Sequence, residues 1–274
     1  MSGDTRPTHR TTVSSLEEVA QELFLLHLYA PEMAQVAEAG QFVMVQVTTS
    51  RTLSVPTYFL RRPLALHGID RAADSVSLLF QAHGGGTRLL SSFDAGTQLD
   101  LLGPLGMPVV LPEPKANVVF VAGGVGVASV TSLIEVGVER EWRMTLLAGA
   151  RNAWRLYPSR LLPSEVVEKT ATDDGSAGVR SPVTHLLIDA QKDVDQVIAC
   201  GPTPMLKALA RMRSEGTLTA PTMVLLESRM GCGFGICQGC AVATDDGPQL
   251  ICTQGPGFDL NEIHWADTIL APTL

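Results

Sequence analysis

The chain has 274 residues, 45% of them hydrophobic and 18% charged, with a formal charge of −8 and only 5% aromatics. That length predicts more than one domain, with ample apolar content for real cores. An acidic balance without any lysine/arginine cluster, and too few aromatics for a stacking surface, argues against nucleic acid as a partner.

Residues 1–10 are polar and lack the apolar stretch of a secretory signal, which predicts a cytoplasmic protein with free thiols rather than disulfides. From about Glu22 to Val110 short apolar runs recur between turn residues: Glu22–Leu28, Gln41–Thr48, Leu64–Leu66, Ser75–Phe80 and Gln98–Leu102. Several short strands at this spacing predict a small antiparallel β-barrel over residues 10–112. Leu111-Pro-Glu-Pro114 then breaks the pattern as an interdomain linker.

Beyond it the period changes. Asn117–Ala122 reads as a buried strand, 123–126 as a turn, Val127–Val138 as a helix and Arg143–Ala148 as the next strand; Gln196–Cys200 and Pro204–Arg213 repeat strand and helix. This alternation predicts a parallel α/β nucleotide-binding domain over 113–221, with its ligand at the carboxyl ends of the strands. The apolar run 118–136 contains Gly123, Gly124, Gly126 and Glu135, so it is read as strand, turn and helix and not as a membrane span. A third small unit is expected over 222–265, too small to hold itself together without a metal.

That last unit carries four of the five cysteines. Cys232, Cys237, Cys240 and Cys252 have the spacing C-x4-C-x2-C-x11-C, the plant-type ligand pattern of a [2Fe–2S] cluster. Gly231, Gly233, Gly235 and Gly239 suit a strained loop whose amides approach an anionic group. A structural zinc site is the alternative, although zinc loops usually present their cysteines as two separate close pairs.

Val119-Phe-Val-Ala-Gly-Gly-Val-Gly-Val-Ala-Ser129 is a strand entering a glycine turn and a helix, a place for a pyrophosphate on backbone N–H groups. The spacing G-G-x-G is not the dinucleotide fingerprint, so glycines that only permit close strand–helix packing remain the other explanation. Cys200, in Ala199-Cys-Gly-Pro-Thr-Pro-Met205, ends a strand at the expected ligand crevice and is the candidate for contact with a nicotinamide ring. The six scattered histidines read as surface or capping residues, and the acidic pairs Glu17-Glu18 and Asp173-Asp174 as solvated charge. Glu227 and Met230, directly before the cysteine loop, are placed by position alone to touch the cluster and, on the resemblance given below, a flavin.

Gly40-Gln-Phe42, Leu60-Arg-Arg-Pro-Leu64, Gly85-Gly-Thr87, Gly103-Pro-Leu-Gly106, the Gly123 turn, Gly149-Ala-Arg-Asn152, Cys200-Gly-Pro202 and the cysteine loop follow one another in a recognisable order. The chain resembles the ferredoxin–NADP reductase superfamily in this, and within it the electron-transfer subunits of class 1B dihydroorotate dehydrogenase. The resemblance runs from about Gly40 to Phe258. It implies a flavin-binding barrel, a nicotinamide domain and a C-terminal [2Fe–2S] subdomain, with FAD, NAD(H) and the cluster as cofactors.

By the same resemblance, Arg62-Pro63-Leu64-Ala65 would be the flavin segment with Arg62 on the pyrophosphate. Leu79-Phe80-Gln81 would be a second flavin segment, and Gly86-Thr87 the turn that holds the pyrophosphate. Gly123, Gly124, Gly126, Gly201 and Pro202 would line the nicotinamide nucleotide. Two departures stand out: Ala65 replaces an expected hydroxyl residue beside the flavin ring, and Gln81 a common basic one. The implied partner is an FMN-containing dihydroorotate dehydrogenase catalytic subunit, two copies of each forming a heterotetramer. An NAD(P)H-handling subunit of a hydrogenase or ferredoxin-dependent oxidoreductase has the same three-part plan. A zinc-stabilised binding module without redox activity is the alternative of another class. Arg151 and Arg155 keep NADPH open beside NADH.

Overall fold

The structure is a computed structural model, and it describes residues 8–47 and 58–266. The final positions of the expected strand Gln41–Thr48 lie outside the described residues. Six strands close an antiparallel barrel: β1 (Thr8–Ala20), β2 (Leu23–Tyr29), β3 (Phe42–Gln46), β4 (Arg62–Asp70), β5 (Ser75–Gln81) and β6 (Gln98–Leu105), in the order β1-β2-β5-β4-β3-β6. β1 returns to pair with β6, so no edge is left open. Two short helices, α1 (Pro31–Val36) and α2 (Gly85–Leu90), fill the connections.

The 13-residue β1 is absent from the sequence expectation. Its inward positions begin His9, Thr11, Val13, so alternation is carried by polar and β-branched residues and leaves little hydrophobic signal. β4 is longer than the expected Leu64–Leu66. It starts at Arg62-Pro63, where a proline is tolerated at a strand's beginning.

The second body is a seven-stranded sheet. Its elements are β7 (Asn117–Gly123), α3 (Val127–Glu139), β8 (Arg143–Ala150), β9 (Val166–Thr172), β10 (Val179–Arg180), α4 (Thr184–Ala190), β11 (Gln196–Cys200), α5 (Thr203–Ser214), β12 (Thr222–Leu225) and, after the cysteine loop, β15 (Gly257–Asp259). The order is β10-β9-β8-β7-β11-β12-β15, parallel except for β15 against β12. The short hairpin β13 (Ala241–Thr244) and β14 (Gly247–Leu250) stands apart from both sheets.

The expected start of the third unit at Thr222 therefore moves. Thr222–Leu225 pair with β11 and belong to the parallel sheet, and the cysteine loop is an excursion between β12 and β15. It shares one apolar core with its neighbours: Cys240, Val242, Ile251 and Cys252 pack with Val224 and Phe258 of the sheet and with Phe42, Met44 and Leu105 of the barrel. The loop is fastened on two sides before any metal is considered. On the opposite face of the sheet, α3 lies against β4, and Ser132 of α3 accepts the Gly40 amide at 3.2 Å. No helix among the described residues is long and apolar enough to cross a membrane.

Candidate functional site

Two crevices open side by side where barrel and sheet meet. The first, of about 270 Å3, is walled by both expected flavin segments, Arg62 to Ala65 and Leu79 to Gln81, together with Thr87 and Gly40. Its far side comes from Val125 of the glycine turn, Ala128 and Ser129 of α3, and the stretch Leu225 to Met230 that leads into the cysteine loop. Largely apolar walls with a few convergent polar groups suit a flat heteroaromatic ring.

Arg62 fits a diphosphate. A Cβ built on Gly86 would lie 2.6 to 2.8 Å from its guanidinium atoms, so the bare backbone there lets the cation rest on the turn. Tyr58 flanks the guanidinium at 5.8 Å from its ring centre, and the Leu60 carbonyl accepts from it at 2.5 Å. Thr87 differs from expectation: its hydroxyl already donates to the Gly84 carbonyl at 3.0 Å and accepts the Gly84 amide at 3.1 Å. It shapes the turn rather than standing free as a donor.

The second crevice, of about 570 Å3, lies along the carboxyl ends of β7, β8, β9 and β11 and takes in Gly123, Gly124, Gly149, Ala171, Asp173 and Pro202. The two crevices share Gln81 and Val125 on their borders. The glycine motif divides by role. A Cβ on Gly126 would lie 2.4 Å from the Cys200 carbonyl oxygen, and one on Gly123 2.7 Å from Pro202, so these two interlock with Cys200-Gly201-Pro202 and are packing glycines. Gly124 alone has open space beyond it and a left-handed φ of +55°, and it faces the crevice.

Cys200 is fully buried and lines neither crevice. Its thiol lies 3.7 Å from the Glu227 carboxylate, which accepts the Ser129 hydroxyl at 2.8 Å. Burial, then the Glu227 charge, push the Cys200 pKa well up, so it is a neutral thiol. Glu227 is exposed and lines the first crevice. The surrounding protein raises its pKa, partly offset by the hydrogen bonds from Ser129 and Cys200. Ala65 offers no hydroxyl to this crevice, and the Ser129 hydroxyl on its opposite wall, one turn beyond the glycine motif, donates to Glu227.

The cysteine loop lies against the barrel floor beside the first crevice. A Cβ on Gly233 would come 2.6 Å from Met44, and Gly233 and Gly235 hold φ of +85° and +88°. Gly231 and Gly239 keep ordinary angles, and Gln238 is left-handed at +56° instead. The four thiols interact with one another: Cys232 with Cys237, and Cys252 with both Cys240 and Cys232.

Backbone donors point at these sulfurs: Phe234 and Cys237 amides reach Cys232 Sγ at 3.5 and 3.4 Å, and the Gly235 amide reaches Cys252 Sγ at 3.2 Å. Burial pushes the Cys232 thiol up, but the Cys237 and Phe234 amides together bring it down to about 7. At Cys252 burial prevails, with Cys240 adding to it, and the pKa is about 12. Four mutually interacting thiols with backbone amides aimed at sulfur suit a two-iron cluster, in which each iron takes two thiolates. Cys240 and Cys252 are buried while Cys237 is exposed, so one edge of the site faces outward.

Asp173, read from the sequence as solvated charge, lines the second crevice just past β9. Arg155 lines it too, yet its guanidinium is paired with Glu22 of the barrel at 2.6 Å.

Residues 227–264 match the family model described as the iron-sulfur cluster binding domain of dihydroorotate dehydrogenase B. Over 261 residues the chain is 34% identical to the electron transfer subunit of dihydroorotate dehydrogenase B (NAD(+)) of Shouchella clausii, spanning 93% of this chain and 97% of that one. The subunit of the same description from Bacillus velezensis is 33% identical over 257 residues, 92% and 97% of the two chains. Among solved structures, a chain of an NADH-dependent reduced ferredoxin–NADP oxidoreductase superposes with a TM-score of 0.83 at 25% identity, over 97% of this chain and 92% of that one.

Proposed function

The chain belongs to the family of dihydroorotate dehydrogenase B electron-transfer subunits, and on that premise we propose that it passes electrons between NAD(H) and an FMN-containing dihydroorotate dehydrogenase catalytic subunit. The observation that carries this reading is the meeting of three sites at one place. The two crevices touch at Gln81 and Val125, and Met230 leads from the first crevice directly into the cysteine loop. Bound there, FAD accepts two electrons as hydride and releases them singly, the conversion needed between a nicotinamide and a one-electron iron–sulfur cluster.

The chain's own groups have separable tasks. Arg62 would hold the diphosphate as a fixed, always charged fork over Gly86. Ser129 and Cys200 orient the Glu227 carboxyl at the wall of the flavin crevice, and the raised pKa of Glu227 lets it keep or give a proton nearer neutral pH than an ordinary glutamate. Cys200 has no free path to a nicotinamide ring and would act through Glu227, as a positioning residue. Cys232, Cys237, Cys240 and Cys252 would ligate the irons, while the amides of Phe234, Gly235 and Cys237 stabilise negative charge on sulfur. At the nucleotide end, Asp173 would accept from a ribose and repel a 2′-phosphate. Arg155 is paired with Glu22 while Arg151 stays on the crevice wall, so the preference for NADH over NADPH rests on Asp173.

The test is reconstitution. Mixed with the FMN-containing subunit, this chain is expected to couple dihydroorotate oxidation to reduction of NAD+ and to associate as two copies of each. Alone it is expected to reduce artificial acceptors with NADH, more slowly with NADPH, and to leave dihydroorotate untouched. The superposition on a ferredoxin–NADP oxidoreductase chain keeps one second reading in play, a flavin/iron–sulfur subunit that serves ferredoxin. Association with ferredoxin and none with the catalytic subunit would favour that reading and overturn the first.

A further inference from the structure

Barrel and sheet are joined by a segment of which only Arg155 lines either crevice. Residues 153–161, following β8, lay four contacts on the barrel: the Trp154 carbonyl accepts the Gln21 amide at 2.8 Å, Arg155 meets Glu22 at 2.6 Å, Arg160 meets Glu17 at 2.9 Å, and Tyr157 reaches His67. The Arg160–Glu17 pair is largely solvent-exposed and the Arg155–Glu22 pair partly so, and such pairs hold geometry only weakly. The Tyr157 contact is different in kind. His67, Ser77 and Tyr157 are all buried, against the expectation that every histidine serves the surface.

In this seam the Tyr157 hydroxyl lies 2.9 Å from His67 Nε2, and His67 Nδ1 lies 3.0 Å from Ser77 Oγ. A neutral imidazole has one N–H and one lone pair, so with the proton on either nitrogen one end donates and the other accepts. Burial keeps the ring neutral, holding its pKa down to about 4, and raises that of the Tyr157 phenol, so both stay in the hydrogen-bonding form. Glu135 of α3 lies close by, beside Gly68 and Ser77.

The ends of this chain give it meaning. His67 is on β4, two residues after the flavin segment Arg62 to Ala65, and Ser77 is on β5, two residues before the segment Leu79 to Gln81. Tyr157 belongs to the stretch that begins at Arg151 on the wall of the second crevice. One buried chain of hydrogen bonds therefore ties the nucleotide wall to both flavin strands. Hydride transfer needs its two partners at about 3–3.5 Å, and a misplacement of about 1 Å lowers the rate by roughly a hundredfold.

We infer that Tyr157, His67 and Ser77 are positioning residues that set the nicotinamide domain on the flavin barrel at the spacing hydride transfer requires. This rests on the flavin and nicotinamide reading given above. The experiment is rapid-mixing reduction of the FAD-loaded protein by NADH, with the parent, Tyr157→Phe, Ser77→Ala and the double variant. Loss of either hydroxyl is expected to lower the saturating rate of flavin bleaching about tenfold, with the NADH concentration for half-saturation changed less than about twofold.

Because the three groups act as one chain, the double variant is expected to be no slower than either single one. Amide hydrogen exchange in residues 153–161 and in β4 is expected to speed up in each variant while FAD and iron contents stay those of the parent. A saturating rate within about twofold of the parent, additive losses, or unchanged exchange would overturn the inference and leave the reading of the site intact. A parent that NADH does not bleach at all would overturn that reading, and this inference with it.

Discussion

Arg62 has its guanidinium boxed between Gly86, Tyr58 and the Leu60 carbonyl, so its charge is delivered to one point on the crevice wall. Replacing it by alanine removes a charge-assisted contact worth about 1.5–3 kcal/mol, roughly ten- to a hundredfold in affinity. A titration of apoprotein Arg62→Ala with FAD is expected to show that loss; parent-like binding would mean the diphosphate lies elsewhere. His67 gives a second residue-scale outcome, in stability. Its pKa falls from 6.5 to about 4 in the fold, by burial first and the His27 charge second. Between those values the unfolded chain binds a proton that the folded chain refuses. Stability is therefore fully present above pH 6.5 and is lost as pH falls through about 4, by roughly 3 kcal/mol across the window. Denaturant unfolding from pH 7.5 down to pH 4.5 is expected to show this slope in the parent, and a shallower one by about one proton in His67→Gln. Equal slopes would mean the ring is not neutral in the seam.

Among the elements, the cysteine loop has the sharpest expectation. Serine at Cys232, Cys237, Cys240 or Cys252 is expected to abolish iron and sulfide binding, checked by chemical analysis, while FAD stays bound. The loop should nonetheless remain seated, because Val242, Ile251 and Phe258 pack into the shared core whether or not metal is present. The loop was legible from the sequence because its signal is chemical: four thiols at fixed intervals among glycines. Strands such as Ser75–Gln81 and Gln196–Cys200 were legible from their apolar runs. β1 was not, since Thr and His fill its inner positions, and β12 could not be assigned to the sheet because β-pairing with β11 is a non-local fact. At the site, the two expected flavin segments were legible as motifs, and the structure brings both to one crevice. The placements of Ser129 against Glu227, Asp173 on a crevice wall and Tyr157 against His67 were hidden because each brings together elements distant in the chain.

At the scale of the molecule, the arrangement has a direction. The second crevice lies along one end of the parallel sheet, the first sits at the seam, and the cysteine loop presents its outer edge to solvent. Around that edge Phe234 is 39% and Ile236 74% exposed, an apolar rim beside an electron relay that must come close to its redox partner. Substituting Ile236→Ser or Phe234→Ser is expected to slow the coupled reaction with the catalytic subunit about tenfold while changing NADH-driven reduction of an artificial acceptor less than about twofold. Equal effects on both reactions would move the docking face elsewhere. The central claim is that one chain joins a two-electron nicotinamide site to a one-electron cluster. It is tested most directly by an anaerobic visible-spectrum titration with NADH, on protein whose iron, sulfide and FAD have been assayed. The account predicts stoichiometric iron, sulfide and FAD, with the flavin and iron–sulfur absorptions both bleaching as NADH is added. A colourless protein holding zinc in place of iron, or bound chromophores that NADH leaves unchanged, would contradict it.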